Sequence, residues 1–334
     1  MRQFSIGIVY ELLGSYPMQP GDPSDADAEY EPEETIETLE AAIERLGHRP
    51  LRIGGPEDLL AQMGKRELPA LDAALNIAEA RGGRNREAWA PVLLEMAQIP
   101  RLGSDALTLS LTLDKYWAAS VVSRAGVRVP AQFVISSVSD LKTSSISWPF
   151  PLFVKPRWEG AAKGIRATSK VLDDASLAVE VERVTRDYRQ PALVEEFLPG
   201  AEYTVTLVGN DPPRALPAVQ RALETASGIG VHAIAGEAPE AGWQTCVPGD
   251  LDGTLEAELA DLAIRSYEQL ECLDFARVDF RLDAEGRPHF LEMNPLPTFA
   301  PDGTFGVLAE LEGRPLDALL ADVIRGGLER LGLS

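Results

Sequence analysis

The stretch Phe275–Pro297, FARVDFRLDAEGRPHFLEMNPLP, constrains this chain more than any other. It reads as two alternating strands joined by a turn, with Gly286 and Pro288 as breakers. A loop at Ala284–Arg287 sets Asp283 opposite Pro288, Asp279 opposite Glu292 and Arg277 opposite Asn294. Because side chains alternate along a strand and meet their cross-strand neighbours, one face collects Arg277, Asp279, Glu292 and Asn294. The other face collects Val278, Phe280, Leu291 and Met293, an apolar set suited to packing. Two carboxylates beside an amide oxygen repel one another unless a cation lies among them, and hard oxygen donors are what Mg²⁺ prefers. The competing reading is the solvated face of an antiparallel sheet. Asn294 is followed by Pro295 and Pro297, so pairing stops where the polar cluster ends, which puts the cluster beside a loop.

A chain of 334 residues is long enough for two or three lobes and a sizeable core. The short apolar strand Phe4–Tyr10 is interrupted at once by Glu11, so it is no signal peptide, and no apolar run reaches membrane-spanning length. Cys246 and Cys272 are the two cysteines, which leaves no disulfide framework and no thiolate zinc site. A reducing cytoplasm fits that usage. The net charge of −21 argues against nucleic acid or an anionic membrane as partner. With only His48, His232 and His289 in unrelated contexts, and no GxSxG, a histidine metal site or a serine triad is not expected.

Strands at residues 3–10, 50–53 and 73–77 alternate with helices at 33–46 and 57–63, a pattern that implies a parallel sheet with helices on its faces. The segment Gln19–Glu31 is acidic and proline-rich, a mobile loop by composition. Arg81–Glu87, RGGRNRE, runs as a glycine turn into a helix at 87–96, with Asn85 as its cap. Such a helix start either receives an anion or is a plain capped turn; Arg84 and Arg86 favour a ligand carboxylate or phosphate. A long helical region at 106–124 carries Lys115.

Further along, strands at 132–135 and 152–155 precede the small-residue loop Glu159–Gly164, EGAAKG, and a strand at 165–171. This loop lacks the helix and the Gly-Lys-Ser/Thr ending of a Walker motif. It reads as a hairpin flap whose amides and Lys163 can fold over phosphates, the alternative being a simple hairpin turn. A helix at 173–188, strands at 191–198, 202–208 and 214–223, and helices at 255–269 and 315–331 complete the chain. Gly228–Ala233 matches GxGxxA without a strand-turn-helix context and is read as a chance match in a loop.

Taken in order, Lys115, Lys155, the Glu159–Gly164 flap, Glu195 with Glu202, and the Arg277, Asp279, Glu292, Asn294 hairpin resemble the ATP-grasp superfamily, in its D-alanine–D-alanine ligase-like branch. The resemblance covers most of the chain and is strongest in GSDALTLSLTLDK, FVKP, VEEFLPGAEYT and Ala276–Asn294. It implies a three-lobed α/β and α+β fold: an N-terminal parallel-sheet domain over residues 1–105, a central lobe with the flap over 106–190, and a C-terminal lobe with the metal site over 191–334. It implies that Lys115 and Lys155 contact ATP phosphates under the flap residues Glu159, Gly160, Ala161, Ala162 and Lys163. Glu195 would hydrogen-bond the adenine amino group, with Glu196, Phe197 and Leu198 along the hinge and Glu202 at the ribose hydroxyls. Asp279, Glu292 and Asn294 would hold two Mg²⁺ ions, with Mn²⁺ as a substitute, and Arg277 would stabilise charge on the transferred phosphoryl group. Taken singly, Lys115 also reads as a helix-surface lysine and Glu202 as a sheet-face charge. Phosphoryl transfer is mostly positioning and charge neutralisation, and it needs no histidine.

The departures from that branch concern the substrates. The GG-x-S-x-E-R-E-type segment is replaced by YELLGSYP, the His-Gly turn by Asn76-Ile77-Ala78-Glu79, and the Thr-Ser-Pro-Gly after the metal asparagine by Pro295-Leu296-Pro297-Thr298. The Tyr-Lys pair has no clear counterpart in Glu224–Gly242. The expectation is an ATP-dependent ligase joining a carboxylate to an amine, acting on amino acids or a small peptide, with a homodimer left open. Its candidate substrate wall is Arg84, Arg86, His232, Pro297 and Thr298. An authentic D-alanine–D-alanine ligase and a nucleotide-binding protein without turnover are the alternatives.

Overall fold

The computed structural model describes residues 2–143, 149–224, 226–230, 247–248, 251 and 253–333. Three sheets organise them. The first is parallel, in the order β2-β1-β3-β4, from β1 (Ser5–Val9), β2 (Arg49–Gly54), β3 (Ala73–Asn76) and β4 (Arg101–Leu102). Helix Glu33–Arg45 buries Ile36, Leu39 and Ile43, its helically spaced apolar stripe, against this sheet. The same core takes in Leu319, Leu320, Ile324 and Leu328 of the last helix, Leu316–Arg330, so the chain's final element closes over its first sheet.

The second sheet is antiparallel, β5-β8-β6-β7, built from β5 (Gln132–Ile135), β6 (Leu152–Pro156), β7 (Lys170–Val171) and β8 (Ala192–Glu196). It packs on helix Asp174–Asp187 through Leu177, Val181 and Val184. Asp173 caps that helix by accepting from the Ser176 amide at 2.8 Å. The third sheet, of six strands, runs β12-β11-β9-β13-β14 with β10 also on β9. Its strands are β9 (Glu202–Val208), β10 (Arg214–Ala215), β11 (Val219–Arg221), β12 (Val247–Pro248), β13 (Phe275–Leu282) and β14 (Pro288–Asn294). Helix Gly253–Gln269 covers one face through Leu259, Leu262, Ala263 and Tyr267.

Several local expectations change. The helical region 106–124 is two helices, Ala106–Leu113 and Lys115–Val122, broken at Asp114, whose backbone is extended (φ −84°, ψ 90°). Asp114 caps the second helix through the Trp117 amide at 3.3 Å, so Lys115 is that helix's first residue and is buried rather than on its surface. The helix foreseen from 87 begins as a 3₁₀ turn at Arg86–Ala88 and becomes α-helical at Trp89–Met96; Asn85 makes no side-chain cap bond. After the flap, only Lys170–Val171 pairs as strand, preceded by a 3₁₀ turn at Ala167–Ser169. The strand expected at 214–223 is split into β10 and β11 around Leu216–Ala218, where Pro217 has no amide to donate.

The hairpin register holds at the polar end and slips at the turn. Arg277 pairs Asn294 and Asp279 pairs Glu292, but Phe280 pairs Phe290 and Leu282 pairs Pro288. Leu291 is therefore an extra residue, a bulge, and the loop runs over Asp283–Arg287, with the Asp283 amide donating to Arg287 O at 3.0 Å. The bulge turns Leu291 out of the apolar face and into the cleft described below, while Phe290 takes the packing position, edge-on to Phe280 at 6.4 Å.

Candidate active site

Between the two antiparallel sheets lies an open cleft. Three residue rows cross the large sheet beneath it: Glu202–Arg281–His289, Thr204–Asp279–Glu292 and Thr206–Arg277–Asn294. The alternation of β13 and the displaced register of β14 place Arg277, Asp279, Arg281, Leu291 and Glu292 in the cleft wall. On the opposite wall, Lys155 of β6 lies across from Leu193 of β8, so Glu195 is its same-face diagonal neighbour, and the two pair at 2.7 Å. Lys115 enters from its helix start and pairs with Glu292 at 2.9 Å while donating to the Glu159 carbonyl.

The electrostatics follow from that geometry. Burial alone would raise the Glu292 pKa, but the charges of Lys115, Lys155 and Arg277 and the Lys115 hydrogen bond hold it well below the usual carboxylate range. Burial opposes the charge on Lys115, yet its pKa is raised by Glu292. Arg277, likewise pressed by burial, is held charged by Asp279 and Glu292 and meets Asp279 at 3.3 Å. Asp279 accepts from Thr204 Oγ1 at 2.6 Å, and Arg221 Nε donates to Thr204 Oγ1 at 3.0 Å. Asn294 Nδ2 lies 3.3 Å from Asp279 and 3.4 Å from Glu292; turning the amide presents its oxygen instead. Arg277 Nε and Thr206 Oγ1, neighbours in one row, are buried with no partner among the described residues. Two carboxylates, an amide oxygen and unsatisfied donors form a set that suits a hard cation with phosphate oxygens.

The flap is folded against the N-terminal part of the chain. Lys163 and the Gly160 amide both donate to Glu29, the latter at 2.6 Å, and Arg86 grips the same carboxylate at 2.7 and 3.0 Å. Arg86 NH1 also donates to Trp158 O at 2.6 Å. Burial works against a charged Glu29, but Arg86 and Lys163 outweigh it and lower its pKa. Asp25 accepts from Tyr188 and, at 2.9 Å, from the Gly164 amide. The acidic segment 19–31 is thus fastened to the flap, and Glu29 gave no sequence signal because its partners lie 57 or more positions away.

Of the residues expected in the site, Lys115, Lys155, Glu159, Ala161, Ala162, Lys163, Glu195, Glu196, Phe197, Leu198, Glu202, Arg277, Asp279 and Glu292 converge on the cleft. Arg84 and Arg86 are not part of that lining: Arg84 pairs with Asp114 at 3.1 Å and stacks 5.6 Å from the Trp158 ring, and Arg86 is buried on Glu29. Thr298 donates to Glu31 at 3.0 Å and Pro297 is buried. His232 lies outside the described residues. Sequence reasoning passed over Thr204, Arg281 and Ile229. The first two were visible as same-face neighbours two positions from Glu202 and Asp279; Ile229 sits in a loop with no periodic signal.

A family model for the C-terminal part of D-ala D-ala ligases matches residues 125–325. The chain belongs to the D-alanine–D-alanine ligase family. It is an ADP-forming ATP-grasp ligase that makes carbon–nitrogen bonds. An uncharacterized protein, y4sG, of Sinorhizobium fredii is 31% identical over 86% of this chain and 85% of that protein. A D-alanine–D-alanine ligase of Bordetella petrii is 29% identical over 83% of this chain and 84% of its own. Among solved structures, the VanG D-Ala:D-Ser ligase of Enterococcus faecalis shares the family fold with a TM-score of 0.73 at 18% identity, covering 98% of this chain and 100% of that one. The D-alanine–D-alanine ligase of Bacillus anthracis complexed with ATP gives 0.71 at 19% identity, with 98% of each chain covered. No helix of the described residues is long and apolar enough to cross a membrane.

Proposed function

We propose that the chain activates a substrate carboxylate with ATP and joins it to an amine, with the phosphates over Lys115 and Lys155 and the base toward Phe197 and Leu198. The observation that carries this reading is the convergence of Lys115, Lys155, Arg277, Asp279 and Glu292 on one cleft. Asp279, Glu292 and Asn294 would hold Mg²⁺, which neutralises phosphate charge when bound. The substrate carboxylate oxygen bonds to the γ-phosphorus as the bond to the ADP oxygen breaks. The amine nitrogen then bonds to the acyl carbon, phosphate leaves, and the amine gives up a proton. Lys115 and Lys155 orient the phosphate oxygens, and Arg277 meets the charge that builds up on the transferred group. Glu292, held ionised by its lysines, stays available throughout.

The substrates are amino acids or a small peptide, and D-alanine alone is a poor fit. A buried polar contact built for one group discriminates strongly against substrates lacking it. The His-Gly turn is replaced by Asn76-Ile77-Ala78-Glu79, the Tyr-Lys pair has no clear counterpart in Glu224–Gly242, and Arg84 and Arg86 are paired within the chain. The test is ADP release with D-alanine against a panel of other amino acids and dipeptides. Release with D-alanine is expected to be a small fraction of that with the best pair; robust D-alanyl-D-alanine synthesis would instead make the chain an authentic D-alanine–D-alanine ligase.

A further inference from the structure

Glu11 takes no part in the scheme above, and it has no ion pair among the described residues. It stands two residues beyond β1, in a pocket at the carboxyl end of the parallel sheet, with Gly55 just beyond β2 and Ala80 after β3 in the same wall. In the order β2-β1-β3-β4 the chain leaves β1 for one neighbour and comes back for the other, which makes this the switch point where open α/β sheets take ligands. The pocket shares no lining residue with the cleft of Lys115, Lys155 and Glu292.

Glu11 Oε2 accepts from the Glu79 and Ala80 amides at 3.1 and 3.3 Å, and Oε1 accepts no hydrogen bond among the described residues. Tyr30, 8% exposed, lines the same pocket, and its hydroxyl has no hydrogen-bond partner among those residues either. Burial, and then the Glu11 charge, raise the Tyr30 pKa, so it stays a neutral hydroxyl with lone pairs to offer. Trp89 adds an indole to the wall; Glu57 and Asp58 stand exposed at the rim, and Arg81 pairs with Glu57 at 3.1 Å. The start of helix Pro56–Lys65 favours an anion, but Glu57 and Asp58 already occupy its first turn. The pocket thus sets three carboxylates against one guanidinium. A cation with N–H donors on an alkyl arm answers the charge, the two idle acceptors and the indole together. A bare metal ion does not suit it, since Glu11, Glu57 and Asp58 do not converge as a metal's ligands do.

The pocket shares Ala80 and Arg81 with a second cavity, walled by Tyr16 and Trp158, and that cavity shares Glu159 and Lys163 with the cleft. A molecule that reacts in the cleft and ends in the pocket is therefore longer than one amino acid. Resting on the ligase reading, we propose that this pocket takes the basic end of a peptide-sized substrate: an ammonium or guanidinium donates to Glu11 Oε1 and the Tyr30 hydroxyl, with its alkyl arm on Trp89, while the reacting group lies in the cleft.

The experiment is calorimetric titration of dipeptides into the full chain with Mg·ADP present. The panel pairs lysine with norleucine and arginine with citrulline, at either position and in both chiralities, so its two arms tell ammonium from guanidinium. Wild type is expected to bind the best basic peptide roughly ten-fold or more tighter than its neutral counterpart, the worth of hydrogen bonds to a charged group. Glu11→Gln is expected to cut that preference to about two-fold or less, and Tyr30→Phe to cut it about three-fold. Asp58→Asn, at the exposed rim, is expected to change it by less than about two-fold. No basic preference in wild type, or an unchanged one in Glu11→Gln, would overturn the proposal. Equal losses in Asp58→Asn and Glu11→Gln would also overturn it, because the acidic rim rather than the pocket would then select the cation. If Glu11→Gln does not fold, Tyr30→Phe decides, and a wild-type preference there overturns the proposal. ADP release on the same peptides with Mg·ATP separates the two readings. Release without a basic preference sinks the pocket and leaves the ligase; a basic preference in binding with no release from any peptide leaves the pocket and refutes the ligase.

Discussion

Glu11 sits where a carboxylate has little help in staying ionised. Burial raises its pKa to about 7; two backbone amides, Glu79 at 3.1 Å and Ala80 at 3.3 Å, oppose the rise, and Asp58 and Glu57 add repulsion. An unfolded glutamate titrates near about 4.3. The native state therefore binds more protons between those values, and stability is lost as pH rises through that window. Glu11→Gln keeps an acceptor for both amides and carries no charge. Its Tm is expected to fall less than the wild-type Tm between about pH 5 and about pH 8; parallel losses would show that burial at Glu11 is not costly. At this scale the sequence was informative where periodicity is strict. Arg277, Asp279, Glu292 and Asn294 share a face because strands alternate, and they meet as expected. Leu291 was misplaced because a bulge changes the count, and no residue in PHFLEMN announces one. Glu29 was invisible because its role is made by contacts across the chain.

Among the elements, the flap is the one whose state depends on others. Its tip residues Ala161 and Ala162 have only methyl side chains to anchor them, and both adopt positive φ, 44° and 57°. Its centre is held by Glu29, which takes the Gly160 amide and Lys163 together, while Asp25, Lys115 and Gln190 hold its two ends. Glu29→Ala removes that grip and leaves Arg86 buried without its carboxylate. Hydrogen exchange of residues 159–164 is expected to accelerate about ten-fold in this variant without nucleotide and to slow again with Mg·ATP. Equal protection in wild type and variant would mean that Glu29 does not restrain the flap. The helix break at Asp114 is another element-scale lesson. The run Ala106–Arg124 holds no proline or glycine that would announce a break, and the break falls where Asp114 also accepts from Arg157 at 2.7 Å and from the Trp158 ring at 3.1 Å. Those partners decide the conformation, and no window of local sequence contains them.

The molecule as a whole is tied together at Asp274, at the entry to β13. This carboxylate is 1% exposed and accepts from the Gly103 amide at 2.8 Å, Asn210 at 2.9 Å, and both Nε and NH2 of Arg330 at 2.7 Å. Gly327 lets the last helix come this close, since a Cβ there would stand 2.6 Å from Leu102 and 2.9 Å from Asp274. One residue thus links β4, the large sheet and the C-terminal helix. Arg330→Ala strands a buried carboxylate and is expected to cost about 3 kcal/mol in denaturant unfolding, whereas a loss under about 1 kcal/mol would make the link incidental. The hairpin, the parallel alternation and the order of polar landmarks were legible in the sequence, since each rests on local pattern. The closing of the last helix over the first sheet was not, because helical periodicity does not say what a helix packs against. In the proposed reaction the Asp279–Glu292–Asn294 face, with its lysines, drives ATP-dependent ligation. Mg²⁺-dependent ADP release by Asp279→Asn and Glu292→Gln, compared with wild type on the best substrate pair, tests it most directly. Both variants are expected to keep the wild-type fold by circular dichroism and to release ADP at under about one hundredth of the wild-type rate, since an amide cannot offset Mg²⁺ charge as a carboxylate does. Near-wild-type ADP release by either variant would contradict the account.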